Sequence, residues 1–181
     1  MKKFLFLFLS LLLASFLFLN FQQAKKTYKY VGVKKCNICH KLKKYGNQAA
    51  IWSKEKHSKA YETLASDESK KIAKKLGIKG DPQKAKECLE CHTTAGTKDK
   101  KLLATSYKIE EGVGCEACHG PGSVYKKMTI MKDTKKFLAN GGIKTLDRCK
   151  DCHNKKSPTY VEIKDFKEAF KKIAHPVPKK K

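Results

Sequence analysis

The longest apolar run in the chain comes at its start. Residues 4–19 are Phe and Leu apart from Ser10, Ala14 and Ser15, and they follow the basic Met1-Lys2-Lys3. That composition is expected of a secretory leader, at the short end for a membrane span. Cleavage after Ala24 would leave residues 25–181; an uncleaved anchor is the competing expectation, because Gln22 is a poor residue at such a site. Beyond the leader the apolar positions scatter. Ser53, His57, Ala60, Tyr61 and Leu64 recur on one helical face, with Trp52 to one side, which predicts a helix over 47–66. A second helix is predicted over 67–76 and ends at Gly77 and Gly80. Asp81-Pro82 reads as an N-cap followed by proline at the first helical position. Residues 93–114 read as loop, Gly120-Pro121-Gly122 as a sharp turn and 133–140 as a short helix closed by Gly141-Gly142. A last helix over 165–174 stops before Pro176. Period-two alternation is nowhere sustained, so the expected class is mainly α with extensive irregular loops.

Composition makes that helical reading thin. Aromatic residues are 9% and charged residues 32%, with Lys interrupting nearly every segment. Residues 25–181 have the length of one domain, ending in a basic tail, but little apolar material with which to build a core. The net charge is +24, and Arg148 is the one basic side chain that is not Lys. A leader, Lys in place of Arg, and no interleaved aromatic platforms argue against a nucleic-acid partner. The excess charge instead favours acidic redox proteins or an anionic membrane surface, through a field that salt screens.

One pattern uses every cysteine. Cys36-Asn37-Ile38-Cys39-His40, Cys88-Leu89-Glu90-Cys91-His92, Cys115-Glu116-Ala117-Cys118-His119 and Cys149-Lys150-Asp151-Cys152-His153 are four copies of Cys-x-x-Cys-His. This is the attachment pattern of c-type haem: two thiols add to the porphyrin vinyl groups and the adjacent imidazole reaches the iron. Zinc ribbons pair cysteines similarly but need no histidine after each pair, and a disulfide framework leaves those histidines unexplained. Four covalently bound haems c are therefore expected, with His40, His92, His119 and His153 as proximal ligands. The apolar interior should then be largely porphyrin. Attachment takes place outside the cytoplasmic membrane in bacteria, which agrees with the leader and places the chain in the periplasm or on the membrane's outer face. Only His57 and His175 remain as distal histidines, so two irons lack one.

Three segments carry a resemblance. Ile51-Trp52-Ser53 with His57-Ser58-Lys59-Ala60-Tyr61, then Gly112 to Ser123, then Ile173-Ala174-His175-Pro176-Val177-Pro178 resemble a tetrahaem cytochrome c family. That family is typified by the electron acceptor of hydroxylamine oxidoreductase in ammonia oxidisers. The likeness spans residues 30–178 and is most specific over 112–123. It implies a compact, mostly helical multihaem fold with closely packed haem pairs, three irons with two histidines, and a five-coordinate iron at the second motif. By position, it implies His57 opposite the third-motif histidine and His175 opposite the fourth. Family members often carry a histidine where this chain has Tyr125, as sixth ligand to the first haem. Tyr125, Met128 and Met131 are the local candidates for that place; an open iron or a histidine from a neighbouring molecule are the others. The function expected is electron transfer between redox partners in a respiratory chain. The alternatives are reduction of a small nitrogen or sulfur species at an open haem, or a subunit of an extracellular conductive assembly. No separate acid–base set for an enzyme is evident.

Overall fold

The computed structural model describes residues 26–175 and Val177. The leader over 1–24, Pro176 and the end of the basic tail lie outside these residues. Within them the chain forms short helices: α1 (Val33–His40), α2 (Gln48–Trp52), α3 (Ala60–Thr63), α4 (Asp67–Lys75), α5 (Lys86–His92), α6 (Cys115–His119), α7 (Met128–Met131), α8 (Thr134–Ala139) and α9 (Phe166–Lys171). Single 3₁₀ turns at Lys43–Tyr45, Lys56–Lys59, Lys100–Leu102, Ile109–Glu111 and Asp147–Asp151 lie between them. The only extended pairing among the described residues is an isolated bridge between Tyr30 and Leu103. No described helix is long and apolar enough to cross a membrane.

Where local signals were strong, the helices form as expected. Ser66 caps α4 by accepting the Ser69 amide at 3.2 Å, Asp67 and Glu68 sit in its first turn, and Lys74 and Lys75 in its last. Gly77, at φ +71°, ends it. Asp133 caps α8 through the Lys136 amide at 3.0 Å, and Asp165 caps α9 through Lys167 at 2.7 Å. The last helix stops at Lys171, short of the expected 174.

The continuous helix expected over 47–66 is broken into α2, a 3₁₀ turn and α3. Competing bonds explain the break. Ser58 Oγ donates to Ser53 O at 3.1 Å and to Glu55 O at 2.8 Å, offering the backbone an alternative to the helical ladder. The His57 carbonyl accepts Val113 N–H at 3.0 Å, a partner from outside the helix. Asp81-Pro82 also departs from expectation. Asp81 Oδ1 accepts the Gln83 amide at 2.9 Å and closes a separate turn, after which α5 starts beyond an extended Ala85.

The apolar core is sparse. Tyr30, Val31, Val33, Leu64, Ala73, Leu89, Ala95 and Tyr125 are its buried hydrophobic residues among those described. Ion pairs such as Asp67–Lys70 at 3.1 Å are exposed and add little. Much of the tertiary organisation comes from hydrogen bonds onto backbone amides, many of them around the cysteine motifs.

Candidate haem-binding site

Three of the four motifs lie in α-helical turns: the first closes α1, the second closes α5 and the third is α6 itself. Helical spacing puts cysteines i and i+3 and histidine i+4 on one side, as a porphyrin edge and its iron require. The fourth begins in the 3₁₀ turn Asp147–Asp151, with Cys152 and His153 just beyond. None of the eight cysteines is in a disulfide. No cluster of three or more His, Cys, Asp or Glu that could hold a bare ion occurs among the described residues.

The motifs neighbour one another in a definite order. Helix α1 packs on α6, and Cys36 of the first motif lies beside Cys115 of the third, which raises the Cys36 pKa and lowers that of Cys115. Burial pushes the Cys118 thiol up, and Cys149 of the fourth motif lies close enough to push it further. Burial and then Cys91 of the second motif push Cys152 up to about 12. First, third, fourth, second is thus the sequence of contacts. The Arg148 guanidinium reinforces the middle step, donating to Ala117 O at 3.3 Å and pairing with Asp151 at 2.8 Å.

The two spare histidines each meet a motif histidine. The His57 ring lies 5.9 Å from that of His153, their planes 86° apart. The His175 ring lies 5.8 Å from that of His119, at 41°. Imidazoles on opposite sides of one metal, with metal–nitrogen bonds of about 2 Å, have centroids about 6 Å apart. Both pairs have that separation. Their assignment reverses the one the resemblance implies: His57 faces the fourth motif and His175 the third. Burial, then the neighbouring His153, pushes the His57 pKa down and favours the neutral, ligating form. His175 Nδ1 is buried without a partner outside its own residue.

His40 and His92 are held differently. His40 Nδ1 lies 3.0 Å from Gln48 Oε1, and the Gln48 amide is anchored in turn on Tyr45 O. His92 Nδ1 lies 2.7 Å from Ala60 O. An acceptor on Nδ1 fixes the tautomer and leaves Nε2 for a metal. Sequence could not name these acceptors, because nothing in a lone Gln or a backbone carbonyl marks it. Neither His40 nor His92 faces a second histidine ring at the separation of the other two pairs. Cysteines outside any disulfide, imidazoles with Nδ1 held, paired imidazoles at metal-spanning distance and a sparse core together fit a bound haem.

The segment over 112–122 locks these parts together. Val113 N–H donates to His57 O at 3.0 Å, and Trp52 Nε1 donates to Val113 O at 2.9 Å. Gly112 has φ +63°, and a Cβ there would stand 2.9 Å from His57 O and 3.2 Å from Ser58 O. Gly112→Ala should cost about 1–3 kcal/mol and loosen His57, read as a lower melting temperature with a growing high-spin band in the ferric spectrum. An unchanged melt and spectrum would show that His57 is not held from this side.

Glu116 is the residue sequence reasoning passed over, as an unremarked spacer inside the third motif. Its carboxylate is 2% exposed and accepts the amides of Val31 at 2.9 Å, Gly32 at 2.7 Å and Gly122 at 2.6 Å. Glu111 accepts the Val33 amide at 2.7 Å and that of Lys34 at 3.2 Å. Helix α1 has no acidic residue in its first turn and no side-chain cap of its own. Two distant carboxylates supply both. Burial raises the Glu116 pKa, while the three amides pull it down.

Tyr125 and the methionines fare less well as iron ligands. Tyr125 is buried, its hydroxyl donates to Gly120 O at 2.7 Å and its ring meets Phe137 edge-on at 4.8 Å. Burial, then Glu116, pushes the phenol well above its ordinary range, which opposes a tyrosinate. Tyr125 therefore serves as packing under the turn after α6. Met128 is 48% exposed on α7, whose main packing partner is α8, and Met131 on the same helix is half-buried.

Residues 35–120 match a family model, that of cytochrome c554 and c-prime. The match takes in the first three motifs and His57. Over these residues the chain is similar to the cytochromes c554. That family is one of c-type cytochromes, a class that carries covalently bound haem c and transfers electrons. Cytochrome c-554 of Nitrosomonas europaea is 32% identical over 141 residues, 68% of this chain and 57% of that protein. The chain thus spans little more than half the length of that relative. No solved structure matches it.

Proposed function

We propose that this chain is an exported electron carrier with four haems, working in the periplasm or at the outer face of the cytoplasmic membrane within a respiratory chain. The observation that carries this reading is the order of the motifs, first to third to fourth to second: α1 packs on α6, α6 packs on the turn Asp147–Asp151, and Cys152 of the fourth motif lies near Cys91 of the second. Haem c, when bound, supplies a one-electron ferric–ferrous couple. The cysteines would hold four such groups, and His40, His92, His119 and His153 would ligate their irons. His175 and His57 complete the third-motif and fourth-motif sites. No proton donor or substrate pocket is needed for that task. The finer typing, an acceptor for hydroxylamine oxidoreductase, rests on the likeness over Gly112 to Ser123.

A haem count with a redox titration tests the proposal. We expect four haems per chain and successive one-electron steps; fewer haems would defeat it. A second reading, reduction of a small nitrogen or sulfur species, is favoured by one observation: neither His40 nor His92 has a second histidine ring at the separation of the other two pairs. Carbon monoxide should then perturb the ferrous Soret band of no more than two haems. No response at all would leave every iron six-coordinate and remove the enzymatic reading.

A further inference from the structure

The lysines are not spread evenly with respect to acids. Residues 26–54 contain no Asp or Glu. Within them Lys34, Lys35, Lys41, Lys43 and Lys44 are exposed, and none belongs to an ion pair found among the described residues. Other lysine-rich segments carry their own acids: Asp67 pairs with Lys70 in α4, Asp133 with Lys136 in α8 and Glu168 with Lys171 in α9. Glu111 and Glu116 approach α1 but are turned onto the amides of residues 31–34 and do not pair with these lysines. Among the described residues this is the longest stretch without an acid.

On the outward face of α1 that carries Lys34, Lys35 and Lys41 lie exposed apolar side chains. Ile38 is 63% exposed and Leu42 is 39% exposed. Ile38 stands between Cys36 and Cys39 in sequence but on the opposite, outward face of α1, so one helix width of about 10 Å separates it from the first attachment site. An apolar centre with a charged rim is the general form of a protein docking face, the rim steering encounter and the centre excluding water. A lipid surface would instead be met by lysines on any side.

We propose that the first-motif face, Ile38 and Leu42 ringed by Lys34, Lys35, Lys41, Lys43 and Lys44, is where an acidic electron-transfer protein docks. This rests on the electron-carrier reading and makes the first motif the entry or exit end of the order described above. The chemistry is a single electron transfer. With a reduced flavodoxin as the acidic partner, the anionic flavin hydroquinone loses one electron to become the neutral semiquinone, and one ferric iron becomes ferrous.

The test uses the haem-loaded full chain and reduced flavodoxin in stopped flow. The Lys41→Glu/Lys43→Glu pair should slow the second-order rate about tenfold at low salt and flatten its salt dependence. The Lys70→Glu/Lys74→Glu pair on α4 carries the same change in net charge and should slow it by less than about twofold. Reduction by dithionite should be alike in all three proteins, which excludes a folding or haem-loading defect. Equal slowing by the two pairs would overturn the docking face while leaving the carrier reading standing. Loss of binding to phosphatidylglycerol vesicles in the first pair, with an unchanged flavodoxin rate, would also overturn it, in favour of a membrane surface. A wild-type chain that accepts electrons from dithionite but from no protein donor would instead defeat the carrier reading.

Discussion

In a His57→Ala variant, one haem of the holoprotein turns high-spin and, once reduced, binds carbon monoxide. The expectation follows from the 5.9 Å separation of the His57 and His153 rings, which leaves room for one metal between them. Removing the imidazole takes away one of two axial donors and leaves the backbone anchor intact, since the bond from Val113 N–H is to the His57 carbonyl. The effect should therefore be local: about one haem equivalent of four changes spin state, the attachment bonds persist and far-ultraviolet dichroism is retained. Added imidazole should restore the low-spin band by entering the vacated position. An unchanged ferric spectrum would overturn the assignment.

The companion variant His175→Ala separates the observed pairing from the one implied by resemblance. It should open the third-motif haem, because His175 lies against His119 at 5.8 Å. The two openings should add, since the pairs are distinct. Paramagnetically shifted haem signals assigned through the motif cysteines identify which iron each variant opens. If His57→Ala perturbed the haem on Cys115 and Cys118, the geometric pairing would fall.

The sequence showed most where chemistry was written in adjacent residues. The attachment motifs and their proximal histidines need only local spacing, and helix α4 is set by Ser66, its acidic first turn and Gly77. Counting six histidines against four motifs singled out His57 and His175 without any structure. What escaped was everything decided across the fold. The helix over 47–66 broke partly because His57 O is taken by the Val113 amide, far away in sequence. The partner of each spare histidine depends on how loops close. Gln48 and Ala60, which hold His40 and His92, carry no signature of that role. Tyr125 stood out only because family members place a histidine there; its burial and its bond to Gly120 O needed coordinates. Glu116 was hidden for the opposite reason, as a spacer inside a motif whose cysteines and histidine drew all the attention.

Glu116→Ala should be among the most destabilising single substitutions in this chain. The carboxylate is almost completely buried and accepts the amides of Val31, Gly32 and Gly122. Deleting it leaves three buried donors without partners, each costing about 1–3 kcal/mol, so a loss of about 3–5 kcal/mol is expected after partial rescue by water. Glu111→Ala should cost less, about 1–2 kcal/mol, because Glu111 is only half-buried and accepts two amides nearer the surface. Guanidinium unfolding of the holoprotein measures both; a Glu116→Ala loss below that of Glu111→Ala would overturn the ranking. Glu116→Gln sharpens the comparison, since it keeps the shape and one acceptor oxygen but points an amide group at amide donors. The consequence should also reach the haems. Glu116 ties the segment before α1 to the third motif, and Cys36 and Cys115 meet across that tie. Loosening it should weaken the coupling between the first and third haems, seen as a smaller split in Soret circular dichroism. Glu111→Ala, which frees only the amides of Val33 and Lys34, should leave that split in place, because Glu116 still holds the tie.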